Sequence, residues 1–193
     1  MAWFGNQTTG SSGGNAENFI WMGRFQSTQA GTLDSISIRV RTNTLTAKKL
    51  NGAIYADDGG EGDLNVALIA QAAEQTVGVG TTDTWITCTF ASPPSVTNGT
   101  WYRLAFRGAG GSGVFTCSYT SSIDGEYASY ISSAYGNFPN PSGDMTAADN
   151  YRLDIYATYT DSPAGWSHQI YGVTPASIMG VAVANITSVN GIE

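Results

Sequence analysis

Leu33-Asp34-Ser35-Ile36-Ser37-Ile38-Arg39-Val40-Arg41 sets Leu33, Ile36, Ile38 and Val40 mostly at every second position, with charged and hydroxyl residues between them. Alternation of that kind marks a strand with one face buried and the other wet. It recurs along the chain. Ile86, Cys88 and Phe90 alternate with Trp85, Thr87 and Thr89, and Tyr102, Leu104 and Phe106 share one face of the segment 101–107. Shorter apolar runs at 52–56, 66–70, 114–119 and 151–157 are separated by turns rich in Gly, Pro, Asn and Asp. No segment carries a convincing 3.6-residue apolar stripe. The pattern predicts an all-β protein: an antiparallel β-sandwich of jelly-roll type with an extended C-terminal tail.

Composition narrows the function classes. The 193 residues include 8 Lys plus Arg against 15 Asp plus Glu, a net charge of -7. Phosphate backbones repel such a surface, and apart from Lys48 and Lys49 the basic residues are scattered, so neither nucleic acid nor an anionic membrane is expected as a partner. No apolar run approaches the ~20 residues that span a bilayer. Only 12% of residues are charged, about half the ~25% of an ordinary soluble protein. Hydroxyls and amides must therefore wet the surface. Residues 1–6 have neither the basic start nor the apolar core of a signal peptide. The expectation is a trimmed mature chain or one that leaves the cell by another route, such as assembly into a virion released by lysis.

Three regions are expected. Residues 1–17, with almost nothing apolar after Phe4, read as a flexible N-terminal arm. Residues 18–160 hold the sandwich. Residues 161–193 form a linker and a C-terminal docking tail, in which 166–193 carry Glu193 as the only formal charge. An apolar tail beside a complete sandwich is expected to find a contact. Trp166, Tyr171, Ile178, Val181, Ile186, Val189 and Ile192 are the candidate assembly residues. Folding back as an edge strand and strand addition to a neighbouring subunit both remain open.

Catalytic chemistry finds little support. His168 is the single histidine, no G-x-S-x-G elbow is present, and nucleophilic catalysis needs a base beside its nucleophile. The expectation is a protein that is not an enzyme. One His and two distant Cys are a poor basis for zinc. Cys88 and Cys117 are both in phase with apolar neighbours, which suits either a bridge between strands or two buried thiols. The acidic loop Asp57-Asp58-Gly59-Gly60-Glu61-Gly62-Asp63 is rich enough in oxygen to suggest calcium on Asp57, Asp58, Glu61 and Asp63. Its spacing departs from the usual calcium loop, however, and Asp and Gly commonly build plain turns. No other cofactor is expected. Aromatics are the remaining binding candidates. Trp85 and Trp101 are out of phase with their apolar neighbours, and Tyr127, Tyr130, Tyr135 and Phe138 crowd a long loop from 121 to 144. Such rings either bind a ligand or cap the sandwich.

The order Ala53-Ile54-Tyr55-Ala56-Asp57-Asp58-Gly59-Gly60, Ala67-Leu68-Ile69-Ala70, Thr84-Trp85-Ile86-Thr87-Cys88-Thr89-Phe90 and Val96 through Phe106 resembles a carbohydrate-binding-module-like jelly roll of phage structural and bacterial surface proteins. The match covers about residues 31–120. Glu61 and Asp63 stand where that pattern usually has a Pro-Gly turn. The segment Ile178-Met179-Gly180-Val181-Ala182-Val183-Ala184-Asn185-Ile186-Thr187-Ser188-Val189-Asn190-Gly191-Ile192 is similar to short segments that end tailed-phage structural proteins, with Ser188 in place of the usual basic residue. Together the resemblances and the composition imply a non-enzymatic virion surface protein, a capsid decoration or head/tail fibre-type subunit. Its tail would dock on capsid or tail proteins or on a sibling subunit in a homo-oligomer. The alternative is an extracellular or cell-surface carbohydrate-binding or adhesive module.

Overall fold

The computed structural model describes residues 2–59, 65–110, 114–121, 127–149, 151–161, 177–178 and 181–182. They form strands β1 (Ala2–Gly5), β2 (Ser12–Asn15), β3 (Phe19–Gln26), β4 (Gly31–Asn43), β5 (Lys48–Ala56), β6 (Leu68–Gln71), β7 (Gln75–Val77), β8 (Thr84–Thr89), β9 (Ser95–Val96), β10 (Trp101–Gly108), β11 (Val114–Ser121), β12 (Tyr127–Ser132), β13 (Thr146–Asp149), β14 (Tyr151–Leu153), β15 (Ile155–Asp161), β16 (Ser177–Ile178) and β17 (Val181–Ala182). No helix occurs among the described residues. The first sheet runs β1-β15-β4-β11-β14, with β8 and β9 also on β4 and β2 on β11. The second runs β13-β12-β3-β10-β5-β6, with β7 also on β5. Every ladder within them is antiparallel.

Successive strands β3, β4 and β5, and again β10, β11 and β12, pass from sheet to sheet, so the chain is an antiparallel β-sandwich wound in jelly-roll fashion. Leu33, Ile36, Ile38 and Val40 of β4 face Leu50, Ile54, Leu104 and Phe106 of the second sheet in one continuous core. Leu33 and Ile36 both point inward although two residues separate them. The β15–β4 register shifts at Thr158/Tyr159, opposite Leu33 and Ser35, and the extra residue Asp34 absorbs the break in alternation.

The second sheet is buried on both faces. Besides the sandwich core, Ile20, Met22, Ala53, Tyr55 and Ala105 pack with Val66, Phe138 and Met145 in a second apolar cluster on its outer side. Segment 133–145 and the stretch before β6 form that cover. Tyr55 Oη donates to the Pro139 carbonyl at 2.8 Å, Ser142 N–H donates to Val66 O at 2.9 Å, and Phe138 N–H donates to Gln71 Oε1 at 3.0 Å. The long aromatic loop therefore closes a face, as a cap on the sandwich.

Residues 2–17, expected as a flexible arm, are not one. β1 pairs with β15 and β2 with β11, and Phe4 is only 2% exposed, with ring centroids 5.9 Å from Tyr159 and 6.1 Å from Tyr102. Main-chain bonds do not depend on apolar side chains, which is why a polar sequence joins the sheet. Glycine also permits contacts no other residue could make here: a Cβ on Gly10 would lie 2.1 Å from the Tyr119 carbonyl oxygen.

Cys88 and Cys117 are free and buried. Their registers place them opposite Ile36 and Val40, on opposite sides of β4. That offset along β4 is roughly 13 Å, far beyond the reach of a disulfide. Burial pushes both thiols up to about 12.

Candidate functional site

Two outer faces carry the candidate residues. On the second sheet, Trp101, Arg103, Ala105 and Arg107 alternate with the inward side chains of β10. Arg103 is fully buried, and its Nε lies 2.8 Å from Asp57 Oδ1. Asp57 Oδ2 takes both Nε and Nη2 of Arg24 at 2.9 Å each and the Gly59 N–H at 3.1 Å. Asp58 Oδ1 is 3.7 Å from Arg103 Nη2. Two guanidiniums thus occupy the Asp57 carboxylate from opposite oxygens. Asp57 is an ion-pair partner held between β3 and β10. Glu61 and Asp63 lie outside the described residues. Among the described residues no group of three or more His, Cys, Asp or Glu side chains is arranged to hold a metal ion.

Trp101 is 40% exposed, yet the Arg24 guanidinium sits 4.3 Å from its ring centre and covers one side. Arg107 donates to the Asn137 carbonyl at 2.6 Å and to Ser133 Oγ, and lies 5.6 Å from the Phe138 ring centre. Burial holds both arginines, 103 and 107, below their ordinary range. The Arg107 guanidinium fastens the loop cover to the sheet.

The tyrosine candidates scatter. Tyr130 turns inward against Trp21 at 4.9 Å and Phe19 at 6.0 Å. Tyr135 donates to Glu74 Oε2 at 2.8 Å, a partner shared with Lys49 Nζ at 2.6 Å. Tyr127 lies opposite Asp149 in the β12–β13 ladder. Trp166, Tyr171, Ile186, Val189 and Ile192 fall outside the described residues, as does His168. Ile178 pairs with Val181 in the two-stranded β16–β17 ladder.

The outer face of the first sheet is different. Trp85 on β8, Tyr156 on β15 and Trp3 on β1 form a diagonal row, with Tyr156 edge-on to Trp85 at 5.0 Å and to Trp3 at 6.5 Å. Trp3 is 45% exposed. Register explains the diagonal: Trp3 is opposite Thr158, Tyr156 opposite Ser37, and Trp85 opposite Arg39. Hydroxyls fill the spaces. Ser37 Oγ is 2.8 Å from Thr87 Oγ1, and Ser35 Oγ is 2.6 Å from Thr158 Oγ1. Beside Trp3, an open depression of about 500 Å³ is lined by Phe4, Gly5, Phe25, Gln26 and Thr28.

Arg39 is the cation nearest the row, and its charge is spent locally; Arg41, two residues further along β4, is exposed and donates to Thr116 Oγ1 at 3.0 Å. Nη1 donates to Gly10 O at 2.9 Å and approaches Asp154 Oδ2 at 3.4 Å, while Nη2 is 3.7 Å from Asp83 Oδ1. Asp154 occupies a fork: its N–H donates to Ser118 O, and its carbonyl accepts from Arg39 N–H, where β11 and β4 part. Its buried carboxylate also accepts from Gly10 N–H at 2.8 Å and Asn6 Nδ2 at 3.3 Å. Burial raises its pKa above the ordinary aspartate value, against the pull of those donors.

Sequence reading found Trp85 but missed its two partners. Tyr156 was legible, since it alternates with Ile155 and Ala157. Trp3 was hidden by the polar composition around it. No protein-family model matches this sequence, and no curated protein matches it.

Proposed function

We propose that this chain is a non-enzymatic virion surface subunit, of capsid-decoration or fibre type, whose C-terminal segment docks on a capsid protein or a sibling subunit. The observation that supports it is an apolar, almost uncharged C-terminal stretch that follows a β-sandwich with a core of its own. Both apolar clusters among the described residues draw all their members from between residues 2 and 159. The stretch 166–193 is nearly free of charge, and the resemblance of 178–192 to segments ending tailed-phage proteins points the same way. β16 and β17 pair with one another and with neither sheet of the sandwich among the described residues. Strand addition or apolar docking is the chemistry such a segment offers.

Peptide mass spectrometry of purified particles tests the reading. The chain should be present in the particle, and deletion after Asp161 should leave a folded body that no longer co-purifies. Particles lacking the full-length chain sink the proposal.

A second reading, a carbohydrate-binding or adhesive module, is favoured by the row of rings across the first sheet. Both are binding or assembly roles that use the sandwich as a rigid platform.

A further inference from the structure

We infer that the outer face of the first sheet is a binding site for a neutral oligosaccharide, with Trp3, Tyr156 and Trp85 as its stacking row. The inference rests on the second reading above and gives it a place and a ligand class. Four features carry it.

The row itself has steps of 6.5 and 5.0 Å between ring centres, on the scale of adjacent rings in a sugar chain. It runs diagonally over β1, β15, β4 and β8, so the rings sit on rigid strands and ordering them costs little entropy. Edge-on packing makes Tyr156 a spacer that holds the two indoles apart.

Around the rings stand hydroxyls in cross-strand pairs: Ser35 with Thr158 and Ser37 with Thr87. Ser35 and Ser37 are buried and serve to orient their partners, while Thr158 and Thr87 reach the surface and keep acceptor capacity after the mutual bond, the right equipment for the donors of a sugar. Thr87 and Thr89 are exposed beside them.

Charge selects against ionic ligands. Arg39, central on the face, is committed to Asp154, Asp83 and the Gly10 carbonyl, and Asp34 accepts from Thr160 Oγ1 at 3.0 Å. Arg41, two residues further along the same face of β4, is exposed and donates its Nε–H to Thr116 Oγ1, so beside the row itself the nearest cation is the engaged Arg39, inside a molecule of net charge -7. An uncharged, polyhydroxylated chain matches both the rings and the hydroxyls.

Finally, the depression beside Trp3 continues the row past the sheet edge, with Gln26 and Thr28 among its walls. The opposite outer face offers no equivalent, being closed by segment 133–145.

The experiment uses the full chain in native affinity gels containing hydroxyethylcellulose, arabinoxylan, galactomannan or dextran, followed by fluorescence titration with oligosaccharides of the retaining polymer. The inference expects retention by at least one polymer. Trp85→Ala and Trp3→Ala should each weaken binding about tenfold, and Trp101→Ala should leave it unchanged. Thr87→Lys gives up the hydroxyl pair with Ser37 and places a cation on the face, and it too should weaken retention, while circular dichroism confirms that each variant is folded. If no polymer retains the wild type, both the site and the second reading fall. If a polymer is retained equally by wild type, Trp85→Ala and Thr87→Lys, the glycan binds elsewhere and the site alone is overturned.

Discussion

The two outer faces of this sandwich begin from the same pattern and end in opposite states. Each presents the out-of-phase residues of its strands: Trp101, Arg103 and Arg107 on β10, and Trp85, Thr87 and Thr89 on β8. On the second sheet the chain covers its own face, with Phe138, Met145 and Val66 packed over Tyr55 and Ala105. On the first sheet Trp3, Trp85 and Tyr156 keep exposed or partly exposed rings. Each face also holds a carboxylate against guanidinium. Asp57 is clasped by Arg24 and Arg103 beside the loop cover, whereas Asp154 ties Arg39 to the N-terminal strands. The difference separates residues that hold the fold from residues free to meet a partner.

The largest expected effect breaks the covered face. Arg103→Leu strips one of the two cations from Asp57 in a buried setting, and removal of one member of such a pair costs about 3 to 5 kcal/mol. Urea denaturation monitored by intrinsic fluorescence should show a midpoint lowered accordingly. A midpoint unchanged from wild type means that the buried arrangement is energetically idle.

Phe138→Ala comes next. It opens a cavity under the loop and removes the ring beneath Arg107, a loss of about 3 kcal/mol. Hydrogen exchange should report the opening in residues 133–145 and β5 while β4 stays protected. Uniform loss of protection across both sheets contradicts a cover that forms a local layer.

On the open face the same kind of truncation should cost little. Trp85→Ala loses an edge-on contact with Tyr156 and some partly buried surface, about 1 kcal/mol. Differential scanning calorimetry of Trp85→Ala beside Phe138→Ala measures the contrast directly. Equal losses of stability make the first sheet's rings structural.

The smallest effect is a pH slope. The folded pKa of Asp154 lies above its unfolded value, so between those values the folded state binds more protons than the unfolded one. Its contribution to stability is therefore greatest in acid and declines as pH rises through that window, flattening above the folded pKa. Asp154→Asn should remove that segment of the slope in urea titrations between pH 3 and neutrality, on the order-of-magnitude scale of ordinary carboxylate titration. Retention of an identical slope assigns it to other carboxylates.

Much of the sandwich was legible because alternation reports the local pleat. The inward sets of β4, β8 and β10 all followed from it, and the single irregularity at Asp34 needed the register with β15 to explain it. The polar N-terminal residues were misread because strand pairing there depends on backbone bonds and on glycine's small size, which composition does not reveal. The clasp on Asp57 was not legible, because Arg24 and Arg103 arrive from β3 and β10, far from it in sequence. Trp101 and Trp85 looked alike as out-of-phase tryptophans; Arg24 over one and Tyr156 beside the other made them different.

By itself, then, the sequence determined the all-β class, the two-sided character of each strand and a surface wetted by hydroxyls in place of charge. These follow from side-chain periodicity and composition, which are local quantities. Which of the two outer faces would be closed was decided only in three dimensions. A second apolar layer forms where a distant loop happens to reach, and the reach of residues 133–145 over β5 and β10, leaving β4 and β8 bare, is set by long-range chain topology.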